Sequence, residues 1–305
     1  MINEPLKLRS HGKILLTGEY LVLKGARALA LPVKFGQTMV VEPVKESFTE
    51  WKSILKNNKS LLHLIMSRNL DEIIKVEPEN TGNEIIETLR VLKKMQPNLF
   101  NKAYRITTKF EFDMNLGLGS SSTLIANLSK WAQVNPFELL DATFNGSGYD
   151  VVTSLSGKPT LFQITGLGRE WKFIKYYPKF HKHLFFVHLN KKQPTYQSVR
   201  KFIKMDVGED KIEEISALTD SIIEETNLDK FRELIEKHDD IIGRIIKKKP
   251  VKAELFPDFD GAIKSLGAWG GDMILAAGDP KKTPEYFKEK GYKTIFPFAK
   301  LILKS

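Results

Sequence analysis

Hydrophobic and polar positions change their spacing several times along the chain, and each change predicts an element. Ile14-Leu15-Leu16 and Tyr20-Leu21-Val22-Leu23 are short apolar runs, and Lys24-Gly25 marks a turn. The start of the chain therefore predicts strands and tight turns. Lys34 to Val44 predicts a longer strand. From Trp51 to Asn98 the spacing reads as helical. It is clearest where Ile85, Ile86, Leu89, Leu92 and Met95 share one side behind the capping residue Asn83. Tyr104 to Phe112 returns to the alternation of a strand.

Gly117-Leu118-Gly119-Ser120-Ser121-Ser122 follows directly, and Leu124, Ile125, Leu128 and Trp131 continue at helical spacing. Strand, glycine loop and helix are thus expected in that order. A second helix is expected from Pro136 to Phe144. The segment Asn145-Gly146-Ser147-Gly148-Tyr149-Asp150 then opens a third, and Thr160 to Ile164 reads as a strand. Beyond residue 180 the pattern predicts a strand at His183–Leu189 and amphipathic helices at Thr195–Met205, Asp210–Thr226 and Asp229–Lys248. It then predicts a helix at Asp260–Leu266, a strand at Met273–Ala277 and a mixed, strand-like end from Ile295. The order is α+β rather than a regular βαβ alternation, with two domains expected at residues 1–180 and 181–305.

Composition narrows the class. A chain of 305 residues with 42% hydrophobic positions has enough apolar material for a large core. It contains no cysteine, which excludes disulfides, zinc–thiolate sites, iron–sulfur clusters and a thiol nucleophile. No apolar run approaches the ~18–20 residues of a membrane span, and the charged first residues do not resemble a secretory leader. A cytoplasmic protein is expected. The 47 basic residues outnumber the 37 acidic ones, a net charge of +10, which suits nucleic acid, an acidic membrane or a small anionic substrate. The basic residues are dispersed apart from Lys247-Lys248-Lys249, at a predicted helix end where cations complement the carbonyl terminus. The aromatic clusters of nucleic-acid readers are not evident, so neither a nucleic-acid nor a membrane partner is expected.

Three glycine-bearing segments can carry chemistry. In Gly117-Leu118-Gly119-Ser120-Ser121 the glycines allow close approach to an anion, and the first turn of the next helix offers unpaired N–H groups. Ser120 and Ser121 can add hydroxyl donors to phosphate or an oxygen ligand to Mg²⁺. Taken alone, Ser120 reads equally well as a helix cap. Gly12-Lys13 through Gly18-Glu19-Tyr20 places a lysine at the head of a buried strand. Gly267-Ala268-Trp269-Gly270-Gly271-Asp272 precedes an apolar strand.

Together these segments resemble, in order, the three motifs of the GHMP small-molecule kinases, closest to the mevalonate kinase and phosphomevalonate kinase branch. Gly146-Ser147-Gly148-Tyr149-Asp150 resembles the segment that carries that family's catalytic aspartate. The resemblance implies a ribosomal S5-like N-terminal domain and a ferredoxin-like C-terminal domain. It implies ATP and Mg²⁺, with Gly117, Leu118, Gly119, Ser120, Ser121 and Ser122 around the nucleotide phosphates and Ser121 on the metal. Asp150 and Lys13 become the catalytic pair, Asp150 handling the acceptor's proton and Lys13 offsetting charge on the phosphoryl group in transfer. Glu19, Tyr20, Gly148, Tyr149, Ala268, Gly270 and Gly271 are expected to face the acceptor. Glu138 is the expected metal acid. Lys191, Lys192 and Gln193 are further candidates for an anionic acceptor.

The sequence departs from that pattern at Asp113, where a proline is usual, and at Trp269, where a glycine is usual. The expectation is phosphoryl transfer from ATP to a small metabolite, mevalonate or phosphomevalonate, by a monomer or homodimer. The alternative is an inactive nucleotide-binding or regulatory protein on the same fold.

Overall fold

The computed structural model describes residues 4–190, 195–267, 269 and 273–304. These fall into two compact units. One comprises the chain up to Gly12 with Phe35–Met114 and Leu118–Ser156; the other comprises Lys13–Lys34, Asn115–Gly117 and Gly157 onward. This division differs from a single boundary near residue 180, because two long strands, β1 (Leu6–Thr17) and β2 (Ala28–Val44), each contribute residues to both units.

The first unit adds β3 (Phe48–Ile54), β4 (Ser60–Ser67), β5 (Ile73–Glu77), helix α1 (Asn83–Met95) and β6 (Ala103–Phe110). Helices α2 (Ser120–Ala132), α3 (Pro136–Asp141) and α4 (Tyr149–Ser156) follow. Its strands lie in the order β5-β4-β3-β6-β2. β2 runs antiparallel to β6, Gln37 opposite Phe110, while β3 runs parallel to β6. Residues 48–77 are therefore strands where the sequence suggested helix. The deciding feature is a period of two: Thr49, Trp51 and Ser53 on β3, and Leu62, Leu64 and Met66 on β4, are buried while their neighbours are less so. Their apolar residues pack with Leu89 and Leu92 of α1 and Ile125 and Leu128 of α2 into one core.

In the second unit, β7 (Thr160–Thr165) pairs with Ala28–Ala30 of β2 and with β8 (Gly168–Phe173). A separate antiparallel sheet has the order β10-β11-β9-β12, formed by β9 (Leu184–His188), β10 (Gly261–Ser265), β11 (Met273–Gly278) and β12 (Ile295–Pro297). The helices are α5 (Thr195–Ile203), α6 (Glu209–Glu224), α7 (Leu228–Ile246), α8 (Val251–Leu255), α9 (Lys282–Glu289) and α10 (Phe298–Leu301). Residues 260–266, expected as helix, form the edge strand β10 instead. Ladder pairing with β11, from Gly261–Gly278 to Ser265–Ile274, overrides the local pattern. The apolar run at Tyr20–Leu23 is likewise a turn of 3₁₀ helix over Leu21–Lys24. Among the described residues, no helix is long and apolar enough to cross a membrane.

Candidate active site

In the first unit, the loop before α2 ends on Gly119, whose φ of 88° places it in the left-handed region that glycine enters without strain. No side chain caps the helix there. The amides of the first turn are thus left to whatever approaches them, with the positive end of a 13-residue helix behind them. Ser121 is exposed and Ser120 is half-buried. This fits a polyphosphate, and Ser121 offers the hydroxyl oxygen that a magnesium ion on that phosphate would take. Ser122 is turned inward: its hydroxyl donates to the Gly119 carbonyl at 3.0 Å and meets Ser154 Oγ at 3.1 Å. It belongs to the frame of the loop rather than to its open face.

That hydroxyl pair ties α2 to α4, because Ser154 lies one turn beyond Asp150 on the same helix face. Asp150 is half-buried in the first turn of α4, its Oδ1 accepting from the Val151 N–H at 3.0 Å. Gly148 immediately precedes the helix with a φ of 97°, and the Tyr149 carbonyl accepts from the Thr153 hydroxyl. One unit therefore carries both the uncapped start of α2 and Asp150. Glu138 stands apart in role: it is exposed on α3, where the Asn135 amide reaches its carboxylate at 3.4 Å. Among the described residues, no group of three or more acids or histidines is arranged to hold a metal ion.

The second unit holds Lys13, half-buried on β1, and the Gly18-Glu19-Tyr20 turn that ends this strand. Glu19 is fully buried, and the Lys264 ammonium donates to its Oε1 at 2.5 Å. Lys264 is buried too and lies 3.8 Å from Asp239. Asp239 in turn accepts from the backbone N–H and the hydroxyl of Ser265. His238 completes the cluster by accepting the Gly18 N–H on Nε2 at 3.1 Å, which puts its own proton on Nδ1. Burial, reinforced by Lys264, holds the imidazole's pKa well below its usual range. Burial also raises Glu19, against the pull of Lys264, and raises Asp239 to about 7. The sequence reading missed Lys264, Asp239 and His238. The available signal was a lysine inside the apolar run Ala262-Ile263-Lys264.

A raised carboxylate sets the sign of a pH effect. The folded state favours protonated Asp239, so its contribution is full below the unfolded pKa, near 4, and is lost as pH climbs to about 7. Wild type should therefore lose stability relative to Asp239→Asn between those values, and no more above them. Urea unfolding of both proteins across that range checks this. A gap that stays constant with pH would contradict it.

Tyr20 is buried, its ring 5.1 Å from that of Phe202. Trp269 joins the same apolar cluster with Ile241 and Ile242, its ring lying over Gly243, where an added Cβ would meet the indole at 3.1 Å. The indole therefore points into the core of its own unit. Trp269→Ala should cost about 3–5 kcal/mol in a denaturant titration, as removal of a buried aromatic does. Ala268, Gly270 and Gly271, and the candidates Lys191, Lys192 and Gln193, lie outside the described residues.

No family model matches the chain. In sequence it is 25% identical to the mevalonate kinase of Methanocaldococcus jannaschii, over 92% of this chain and 95% of that protein. In structure it matches a Streptococcus pneumoniae phosphomevalonate kinase in complex with phosphomevalonate and AMPPNP, with a TM-score of 0.69 and 16% identity over 95% of this chain and 99% of that one. A Lactococcus lactis galactokinase complexed with galactose matches at a TM-score of 0.67 and 15% identity, over 100% of this chain and 95% of that one. The chain thus has the fold of the GHMP small-molecule kinases. Trp269 is a core residue at the position where the resemblance leads one to expect glycine.

Proposed function

We propose that this protein is a GHMP kinase that transfers the terminal phosphoryl group of ATP to mevalonate or phosphomevalonate. The observation that carries the reading is the uncapped start of α2, open at Ser121 and joined through Ser122 and Ser154 to the helix that bears Asp150. Phosphoryl transfer asks a protein chiefly for positioning and for opposite charge. The amides at the start of α2 take the nucleotide's phosphate oxygens, with Ser121 as the protein's oxygen on Mg²⁺. The metal, when bound, neutralises phosphate charge. Asp150 takes the proton from the attacking oxygen of the acceptor. Lys13 supplies a positive charge for the phosphoryl group in transfer. Gly148 and Tyr149, beside Asp150, are assigned to the acceptor.

The likeness in sequence to a mevalonate kinase supports this choice of acceptors over a sugar. ADP release measured over mevalonate, phosphomevalonate, homoserine and galactose tests it. Turnover confined to one of the first two is expected. ATP consumption with none of the four sinks the proposal.

A further inference from the structure

Tyr20 holds a backbone conformation that its surroundings must enforce. Its φ of 60° and ψ of −50° are those of the rarer, positive-φ γ-turn, closed by the Leu21 N–H on the Glu19 carbonyl at 2.6 Å. Residues with a side chain adopt this turn only under strain, and such strain persists where neighbouring groups over-determine it. Three elements do so here. His238 of α7 accepts the Gly18 N–H, Lys264 of β10 grips Glu19, and Phe202 of α5 packs on the Tyr20 ring. Gly18 has no slack of its own: a Cβ there would lie 2.6 Å from that of Ala28.

The grip is also costly in itself. Glu19 Oε2 and His238 Nδ1 are buried without a hydrogen-bond partner among the described residues, and a buried ion pair is often no better for stability than hydrocarbon of the same size. Backbone strain and buried charge coincide on one turn. That combination breaks local rules without a stability gain, as functional sites do.

The turn ends the strand that carries Lys13 five positions before Gly18. A slip of one residue along a strand is about 3.3 Å and reverses the face of every side chain. We infer that Lys264 and His238 are positioning residues, acting through Glu19 and Gly18 to clamp the strained turn and so set the register of Lys13. The inference rests on the kinase reading for the use made of Lys13, and on geometry alone for the clamp.

Lys264→Met by itself strands a buried carboxylate and is expected to fold poorly. The decisive protein is therefore Glu19→Gln/Lys264→Met, which removes both charges of that pair; measured below pH 7, it leaves Asp239, the other carboxylate beside Lys264, protonated, since that group is raised to about 7. Its melting temperature should recover most of what the single variant loses. Amide exchange over Gly18–Val22 should quicken. With ATP and whichever of mevalonate and phosphomevalonate the wild-type chain turns over, kcat should fall on the order of 10²-fold, the scale of a misplaced catalytic group, with KM for ATP unchanged. A merely structural pair would leave kcat intact once the fold is recovered. Wild-type kcat in the double variant, or unchanged exchange at the turn, overturns the inference. If the wild-type chain turns over no acceptor, the kinase reading fails, and the exchange comparison still decides whether the clamp exists.

Discussion

Asp150→Ala should reduce acceptor-dependent ADP release on the order of 10²–10⁴-fold, the range that one positioned proton acceptor contributes. The fold should barely change, because Asp150 is only half-buried and its described hydrogen bond is to the next residue's own N–H. ATP should still raise the melting temperature, since the proposed phosphate grip comes from the amides of α2 rather than from this carboxylate. The two readings together separate chemistry from binding. Wild-type turnover in the variant would remove Asp150 from the reaction. A lost thermal response to ATP would show instead that it serves binding.

The second large effect concerns stability. Lys264→Ala deletes the cation that serves two buried carboxylates, Glu19 at 2.5 Å and Asp239 at 3.8 Å. Breaking one side of such a pair typically costs about 3–5 kcal/mol, because the partner charge stays buried and uncompensated. That is a large share of the ~5–15 kcal/mol that holds a typical protein folded. Denaturant unfolding would measure it. The loss should be smaller at low pH, where the orphaned carboxylates are neutral by protonation. A loss under about 1 kcal/mol, typical of exposed pairs, would mean that water reaches the cluster.

The elements that the sequence predicted well are those whose apolar period is long and unambiguous. The 3.6-residue spacing of α6 and α7 places both within two residues of the observed ends. The strands β3 and β4 were lost to a helical reading because a short apolar run matches either period until its partners are known. β10 failed for the same reason. The turn at Gly119 that opens α2 was legible since backbone freedom is written in residue type. The Lys264 cluster was not, as Glu19, His238, Asp239 and Lys264 are spread over 245 positions and meet only by folding.

From residue types and their order alone followed the α+β class, the absence of cysteine chemistry, the glycine turn that opens α2 and the likeness to the GHMP kinase fold. Each of these depends on local properties: which backbone angles a residue permits, which groups it carries, and what lies a few positions away. Folding decided where the side chains went. It turned Ser122 inward to Ser154, sent the Trp269 indole into the apolar core and committed Glu19 to a buried lysine. Burial and partner choice are properties of contacts between distant segments, and the charge state and reach of a side chain follow from them.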